Sequence, residues 1–224
     1  RALVGRLNYD YAGRYYVSGS FRRDGSSRLS RDSRWGNFWS VSGSWRLSQE
    51  AFMESLSNVI TDAKIRASYG VNGTQPKDYY GYMGVYEFGY NYNGNGGSSE
   101  ARFYNPNLKW EKNYATNIGI DLTLLNRLTI SAEWYNRETK DLLMDKPISA
   151  AVGVINSAGT ANMLVNVGSM RNRGFELELK STNIQNKDLF WTTSLNLGHN
   201  KNKLTKLDGE QQEIIDGVSI HRVG

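Results

Sequence analysis

From Asn126 to Thr139 the chain reads NRLTISAEWYNRET, with apolar and polar residues in turn. Leu128, Ile130, Ala132 and Trp134 fall on one side; Thr129, Ser131, Glu133 and Arg137 fall on the other. Side chains of a β-strand point alternately to its two faces, so this stretch predicts a strand with one apolar and one hydrophilic wall. The pattern recurs seven more times, on Leu3–Tyr9, Tyr15–Arg22, Trp39–Leu47, Ala63–Val71, Asn117–Leu124, Phe175–Lys180 and Trp191–Leu197. Thr193 is the one polar residue on the apolar side of the last. Eight amphipathic strands must find eight covers for their apolar walls, and that need limits the fold more than anything else in the chain.

The connections sort by length. Short ones are expected around Ala12-Gly13, at Asn126 and across Thr182–Asp188, and SQEAFMESL offers a brief helix with Ser48 as its N-cap. Long loops are expected over Arg23–Asn37, Asn72–Asn113 and Glu138–Asn172, longer than compact soluble domains favour. Short turns at one end and long loops at the other suit an outer-membrane barrel. So does the strand length of about nine to eleven residues, enough for a tilted strand to cross a bilayer.

The polar wall carries charge in mid-strand, at Arg6, Lys64, Arg66, Asp121, Glu133 and Glu178, which a water-filled or plugged lumen accepts. On the apolar wall the aromatics sort by height. Tyr9, Tyr11, Tyr15, Trp45 and Trp191 lie near the short turns; Phe21, Trp39, Tyr69, Trp134 and Phe175 lie near the long loops. Trp and Tyr prefer the headgroup level, which gives barrels two girdles, whereas a sandwich core has no reason to sort rings by height. The residues thus favour a transmembrane barrel over a soluble β-sandwich.

Composition removes other classes. The net charge of +5 (27 Lys+Arg against 22 Asp+Glu) is spread along the sequence with no basic stripe, which argues against a nucleic-acid partner. No cysteine and only His199 and His221 leave no disulfide framework and point away from zinc; no cofactor is expected. No apolar run approaches the roughly 18 residues of a membrane helix, a test to which barrel strands are invisible.

Four stretches carry a family resemblance: RRDGSSRLSRDSRWGNFWSVSGSWRLSQEAF (Arg22–Phe52), KIRASYGVNGTQ (Lys64–Gln75), NPNLKWEKNYATNIGIDLTLLNRLTISAEWYNRETKDLL (Asn105–Leu143) and NVGSMRNRGFELELKS (Asn166–Ser181). With FWTTSLNLGHNKNKLTKL (Phe190–Leu207) and IDGVSIHRVG (Ile215–Gly224), the chain resembles the SusC/RagA family of TonB-dependent outer-membrane transporters. Only the loops Tyr79–Tyr104 and Ile148–Leu164 look individual.

The resemblance implies an all-β, antiparallel up-and-down barrel of about 22 strands in the outer membrane of a Gram-negative bacterium. Residues 1–224 would form an open partial barrel of about eight strands within that single domain, with plug, signal peptide and final strands expected outside this sequence. The implied partners are a SusD-like lipoprotein lid, TonB acting through the plug, outer-membrane lipid, and an oligosaccharide or peptide cargo.

Two groups are candidate sites. Tyr79, Tyr80, Tyr82, Tyr86, Phe88, Tyr90 and Tyr92 crowd one loop, where flat rings with hydroxyls suit sugar or a partner protein, or simply pack the loop. Arg66, Asp121, Glu133, Arg137, Glu176 and Glu178 face the lumen, where they guide polar cargo, hold the plug, or only solvate the wall and pair across strands. GNGGSS lacks the Lys-Ser/Thr and helix of a phosphate loop and reads as a flexible tip; Asn72-Gly73-Thr74 reads as a plain turn. No nucleophile–base–acid set appears, so no enzyme is expected. The leading reading is active import of a bulky nutrient, foremost a glycan. The alternatives are oligopeptide import, an adhesion or assembly β-protein, and a soluble sugar-binding sandwich.

Overall fold

The computed structural model describes residues 1–152, 162–207, 213–216 and 219–224. Its strands are β1 (Ala2–Tyr11), β2 (Tyr15–Gly25), β3 (Trp35–Arg46), β4 (Ile60–Thr74), β5 (Val85–Tyr92), β6 (Asn95–Arg102) and β7 (Glu111–Leu124). They continue as β8 (Leu128–Lys140), β9 (Leu143–Pro147), β10 (Asn162–Asn166), β11 (Ser169–Gln185), β12 (Phe190–Lys206), β13 (Glu213–Asp216) and β14 (Ser219–Arg222). Eight of them make one open antiparallel sheet in the order β1-β2-β3-β4-β7-β8-β11-β12. These are the eight alternating stretches of the sequence. The pairs β5–β6, β9–β10 and β13–β14 are separate two-stranded ribbons.

Among the described residues nothing roofs the apolar wall. Leu7 is 74% exposed, Trp134 45% and Trp191 54%, where a sandwich would inter them. Along the opening stretch Ile130 sits between Leu122 of β7 and Leu179 of β11, and Trp134 between Ile118 and Phe175. Cross-strand neighbours share a face, so the apolar side chains join into one continuous outer wall. Several strands outrun the bilayer length: β4 has 15 residues, β11 and β12 have 17 each. The excess lies at the long-loop end, where the pairing continues past the upper aromatics.

The two girdles are built by register. At the short-turn end Tyr11 faces Tyr15 and Tyr15 faces Trp45. The Tyr15 and Trp45 rings stack at 6.1 Å, and Phe52 meets Trp45 edge-on at 6.4 Å. At the long-loop end Phe21 faces Trp39, whose ring meets Tyr69 at 5.5 Å.

The turns follow from backbone sign. Ala12 and Gly13, then Leu125 and Asn126, all have positive φ, the conformation of tight two-residue hairpin turns that match strand twist. Asn186 closes the third turn, its side-chain oxygen accepting from the amides of Asp188 and Leu189. Thr193, the polar intruder, takes a hydrogen bond from the Asn183 amide at 2.6 Å.

Three local expectations need correction. The brief helix expected in SQEAFMESL is present as two short 3-10 helices, Leu47–Gln49 and Ala51–Leu56, but Ser48 caps neither. Its hydroxyl instead donates to Asp62, which also receives Arg46. Asn72-Gly73-Thr74 ends β4 as strand, paired with β7. GNGGSS is no free tip: Asn93 and Gly94 turn the chain at positive φ, and the glycines and serines pair back on β5. Residues 153–161 of the second individual loop, and 217–218 of the last motif, lie outside the described residues.

Candidate functional site

The inner wall begins with a row that crosses five strands: Arg66 on β4, Gly119 on β7, Glu133 on β8, Glu176 on β11 and Gly198 on β12. Gly119 is what allows the row to communicate. A Cβ there would stand 2.7 Å from Cζ of Arg66, so the bare backbone lets the guanidinium lie across β7. Arg66 Nη1 donates to Glu133 beyond it, and Arg66 Nε reaches Asp121 at 3.2 Å. Ser131 donates to the other Asp121 oxygen at 2.7 Å.

One arginine therefore serves two carboxylates. Glu176 stands directly opposite Glu133, and Glu178 opposite Ser131. Neither has an ion-pair partner among the described residues. With Arg66, Ser131, Glu133 and Asn196 they line a groove of about 510 Å³. Like charges directly across a pair repel, so Arg66 is needed where Glu133 meets Glu176. Arg137 stands apart, higher on β8, its guanidinium 5.3 Å from the Tyr135 ring. The structure thus brings five of the six expected lumen charges together.

Beside this groove the inner wall is hydroxyl-rich. Ser18 bonds Ser42 at 3.2 Å, Ser20 bonds Ser40 at 2.7 Å, and the Asn117 amide donates to Ser68. A second hollow of about 440 Å³ lies over Asn8, Asp10, Ser18, Ser42, Lys64 and Asn117. These groups can hydrogen-bond polar matter along the wall.

At the long-loop end the same face carries a small core that sequence reasoning missed. Leu29 and Leu108 are fully buried, with Phe38 of β3 and Trp110 beside them. The far end of the Phe38 ring lies close against Gly36 and Gly73, neither of which has room for a Cβ, and the ring meets Trp110 edge-on at 5.3 Å. Trp110 Nε1 donates to the Arg34 carbonyl at 3.0 Å, and Ser30 to the Pro106 carbonyl at 2.7 Å. Asn105 donates to the Leu164 carbonyl of the third long loop, and Asn166 of that loop donates to the carbonyls of Lys109 and Asp141. The only signal in the sequence was a lone Leu inside each of SSRLS and NPNLKW.

The aromatic loop stands on that core. Tyr82 packs against it, whereas Tyr79, Tyr80, Tyr86 and Phe88 are exposed, Phe88 to 80%. Arg28 lies 4.3 Å over the Tyr79 ring and donates to the Pro76 carbonyl. In the ribbon, Gly89 interrupts the pairing of β5 with a bulge, and the Tyr90 hydroxyl donates to Glu87. The rings therefore leave the ribbon on both faces. The Tyr92 side chain lies outside the described set.

Among the described residues no helix is long and apolar enough to cross a membrane, which says nothing of strands. No group of three or more metal-ligating side chains occurs among them either. A bare apolar outer wall between two girdles, backed by a charged inner wall, defines the wall of an outer-membrane β-barrel. Comparison with known proteins agrees. Residues 1–221 match the TonB dependent receptor-like, beta-barrel family, and the chain belongs to it, with relatives of the SusC and RagA type. Its place is the outer membrane of a Gram-negative bacterium.

The chain is 37% identical over 210 residues to TonB-dependent receptor P39 of Formosa agariphila, covering 93% of this chain and 20% of that protein. It is 37% identical over 219 residues to TonB-dependent receptor SusC of Bacteroides thetaiotaomicron, covering 93% and 21%. Among solved structures it superposes on the RagAB peptide importer in the 'closed-closed' state with a TM-score of 0.88 at 30% identity, covering all of this chain and 24% of that one. The chain spans about a fifth of the curated relatives it matches.

Proposed function

We propose that residues 1–224 are an arc of eight strands within a larger barrel that imports a bulky polar nutrient, foremost an oligosaccharide, across the outer membrane. The observation that carries this reading is the pairing of a lipid-facing outer wall with a polar inner wall whose mouth is held in shape by a loop core. A wall so built has a passage on its inner side, and the loops above it can present cargo-binding groups at fixed positions. Tyr79, Tyr80, Tyr86 and Phe88 are exposed there, and exposed rings stack on sugar faces or on a partner.

The inner wall contributes polarity and charge, without covalent chemistry. Arg66, Asp121, Glu133, Arg137, Glu176 and Glu178 line the route of cargo or hold a plug inside the barrel. Likeness to SusC and to the RagAB importer supports a SusD-like lipoprotein lid over the loops and energy supplied by TonB through a plug. A second reading, import of oligopeptides, is favoured by the structural likeness to a protein titled a peptide importer. Growth separates the two. A strain lacking the full-length gene should fail on one class of glycan as sole carbon source and grow normally on peptides. Failure on peptides alone would select the second reading, and normal growth on every glycan and peptide tried would refute import.

A further inference from the structure

We propose that the outward face of β7, β8, β11 and β12, immediately above the upper girdle, binds phosphate-bearing lipid headgroups of the outer leaflet. The register assembles it. Moving from Trp134, Phe175 and His199 toward the loops, the next outward residues on β11 and β12 are Arg173 opposite Lys201, then Arg171 opposite Lys203. On β7 and β8 the outward residues above the girdle include Tyr114 opposite Glu138 and Lys112 opposite Lys140.

Six cations thus share this stretch of wall with one carboxylate. Glu138 lies 3.7 Å from Arg171 and 3.6 Å from Lys140. Lys112, Arg173, Lys201 and Lys203 have no ion-pair partner among the described residues. Three cross-strand pairs, Arg173/Lys201, Arg171/Lys203 and Lys112/Lys140, are like charges directly opposite, which destabilises a sheet in water. On the inner wall the comparable clash is relieved by Arg66. Here the described residues supply one carboxylate, Glu138, which leaves counter-charge for a lipid headgroup to provide.

The position names the source. The patch continues the lipid-facing wall, and the rings beneath it mark the headgroup level. Long loops of such barrels are extracellular, so the headgroups at this height belong to the outer leaflet. Anionic headgroups attract clustered Lys and Arg, and a guanidinium binds phosphate through two parallel hydrogen bonds. A second copy of the chain or a soluble polyanion has no such reason to meet the patch at this height. The inference uses only the outward orientation of the wall, so it stands or falls separately from the cargo.

The test uses the full-length protein in mild detergent, with native mass spectrometry scoring bound lipid. Phosphorylated lipid A and the same lipid after removal of its phosphates are the probes. Wild type should retain the phosphorylated form preferentially, and retention should fall as salt rises from low to about 0.5 M. The outer triple variant Arg173→Gln, Lys201→Gln, Lys203→Gln should lower that retention at least about tenfold. The inner triple variant Arg6→Gln, Lys64→Gln, Lys180→Gln removes as much charge and should leave it unchanged. Should the outer triple fail to fold, the singles Arg173→Gln and Lys203→Gln, with the wild-type salt series, decide the matter. Equal retention of both lipids, or equal loss in both triples, would each overturn the proposal.

Discussion

β8 and its neighbours carry opposing like charges on both faces of one sheet, and the faces deal with them differently. Inside, Glu133 meets Glu176, and Arg66 reaches over Gly119 to hold the first of the two. Outside, Arg173 meets Lys201 and Arg171 meets Lys203, while Glu138 answers only Arg171 and Lys140. Hydrophobic residues show the same division. On the inner face Phe38 is covered by protein; on the outer face Trp134 and Leu197 are half exposed. The inner face is completed mainly by the chain itself and the outer face by its surroundings. A wall that separates lipid from a polar interior has to be built with this asymmetry.

That division can be attacked from either side. The largest effect is expected inside: Phe38→Ala removes a buried ring from the loop core and should cost about 3–5 kcal/mol, a typical loss for a buried Phe. Denaturation in detergent and in lipid should report the same loss, because only protein covers that ring. Next comes Ile130→Arg on the outer wall, expected to cost about 2–4 kcal/mol near the bilayer midplane. This loss should appear in lipid vesicles, and its control is Asn196→Arg, which faces Glu178 across the inner wall. That control should stay within about 0.5 kcal/mol of wild type. Equal costs for Ile130→Arg and Asn196→Arg would erase the distinction between the faces.

The smallest effect concerns the short-turn rim, where the protein also completes its own outer girdle. Glu50 accepts the Tyr15 hydroxyl at 2.6 Å and the Trp45 indole N–H at 3.0 Å, and Arg14 lies 3.4 Å away. The Tyr15 hydrogen bond first, then that of Trp45, hold the Glu50 carboxyl below the ordinary glutamate value of about 4.3. A depressed value in the folded state means the stabilisation is present above the unfolded value and lost as pH falls through the folded one. Thermal unfolding of wild type against Glu50→Gln should therefore show a constant gap from neutral pH to about pH 5 that closes in more acid solution. A gap persisting to pH 3 would mean that the charge of Glu50 is irrelevant to this rim.

Much of the wall was legible in the sequence, because period two is a local signal and each strand announces its own faces. Trp134, Trp191 and the other girdle rings could be sorted by height for the same reason. What failed was information that needs a partner. Ser48 looked like a helix cap until Asp62, across a turn, proved the stronger attraction. GNGGSS looked loose until paired with β5. The loop core joins Leu29, Phe38, Leu108 and Trp110 across more than 70 residues, with no periodicity to mark it. The basic rim escaped notice because each of four strands contributes only one or two cations, interleaved with inward-facing residues. Charge that looks dispersed along a chain is gathered once the register is known. The aromatic loop was recognisable as a cluster of rings, but the bulge at Gly89 that sends them to both faces of the ribbon was not.

Gly119 has an effect that reaches well past its own position. Since one guanidinium lies over it toward Asp121 and Glu133, those two carboxylates are answered within the arc, while Glu176 and Glu178 beside them have no ion-pair partner among the described residues. A single missing methyl group thus decides which strands' carboxylates the arginine can reach.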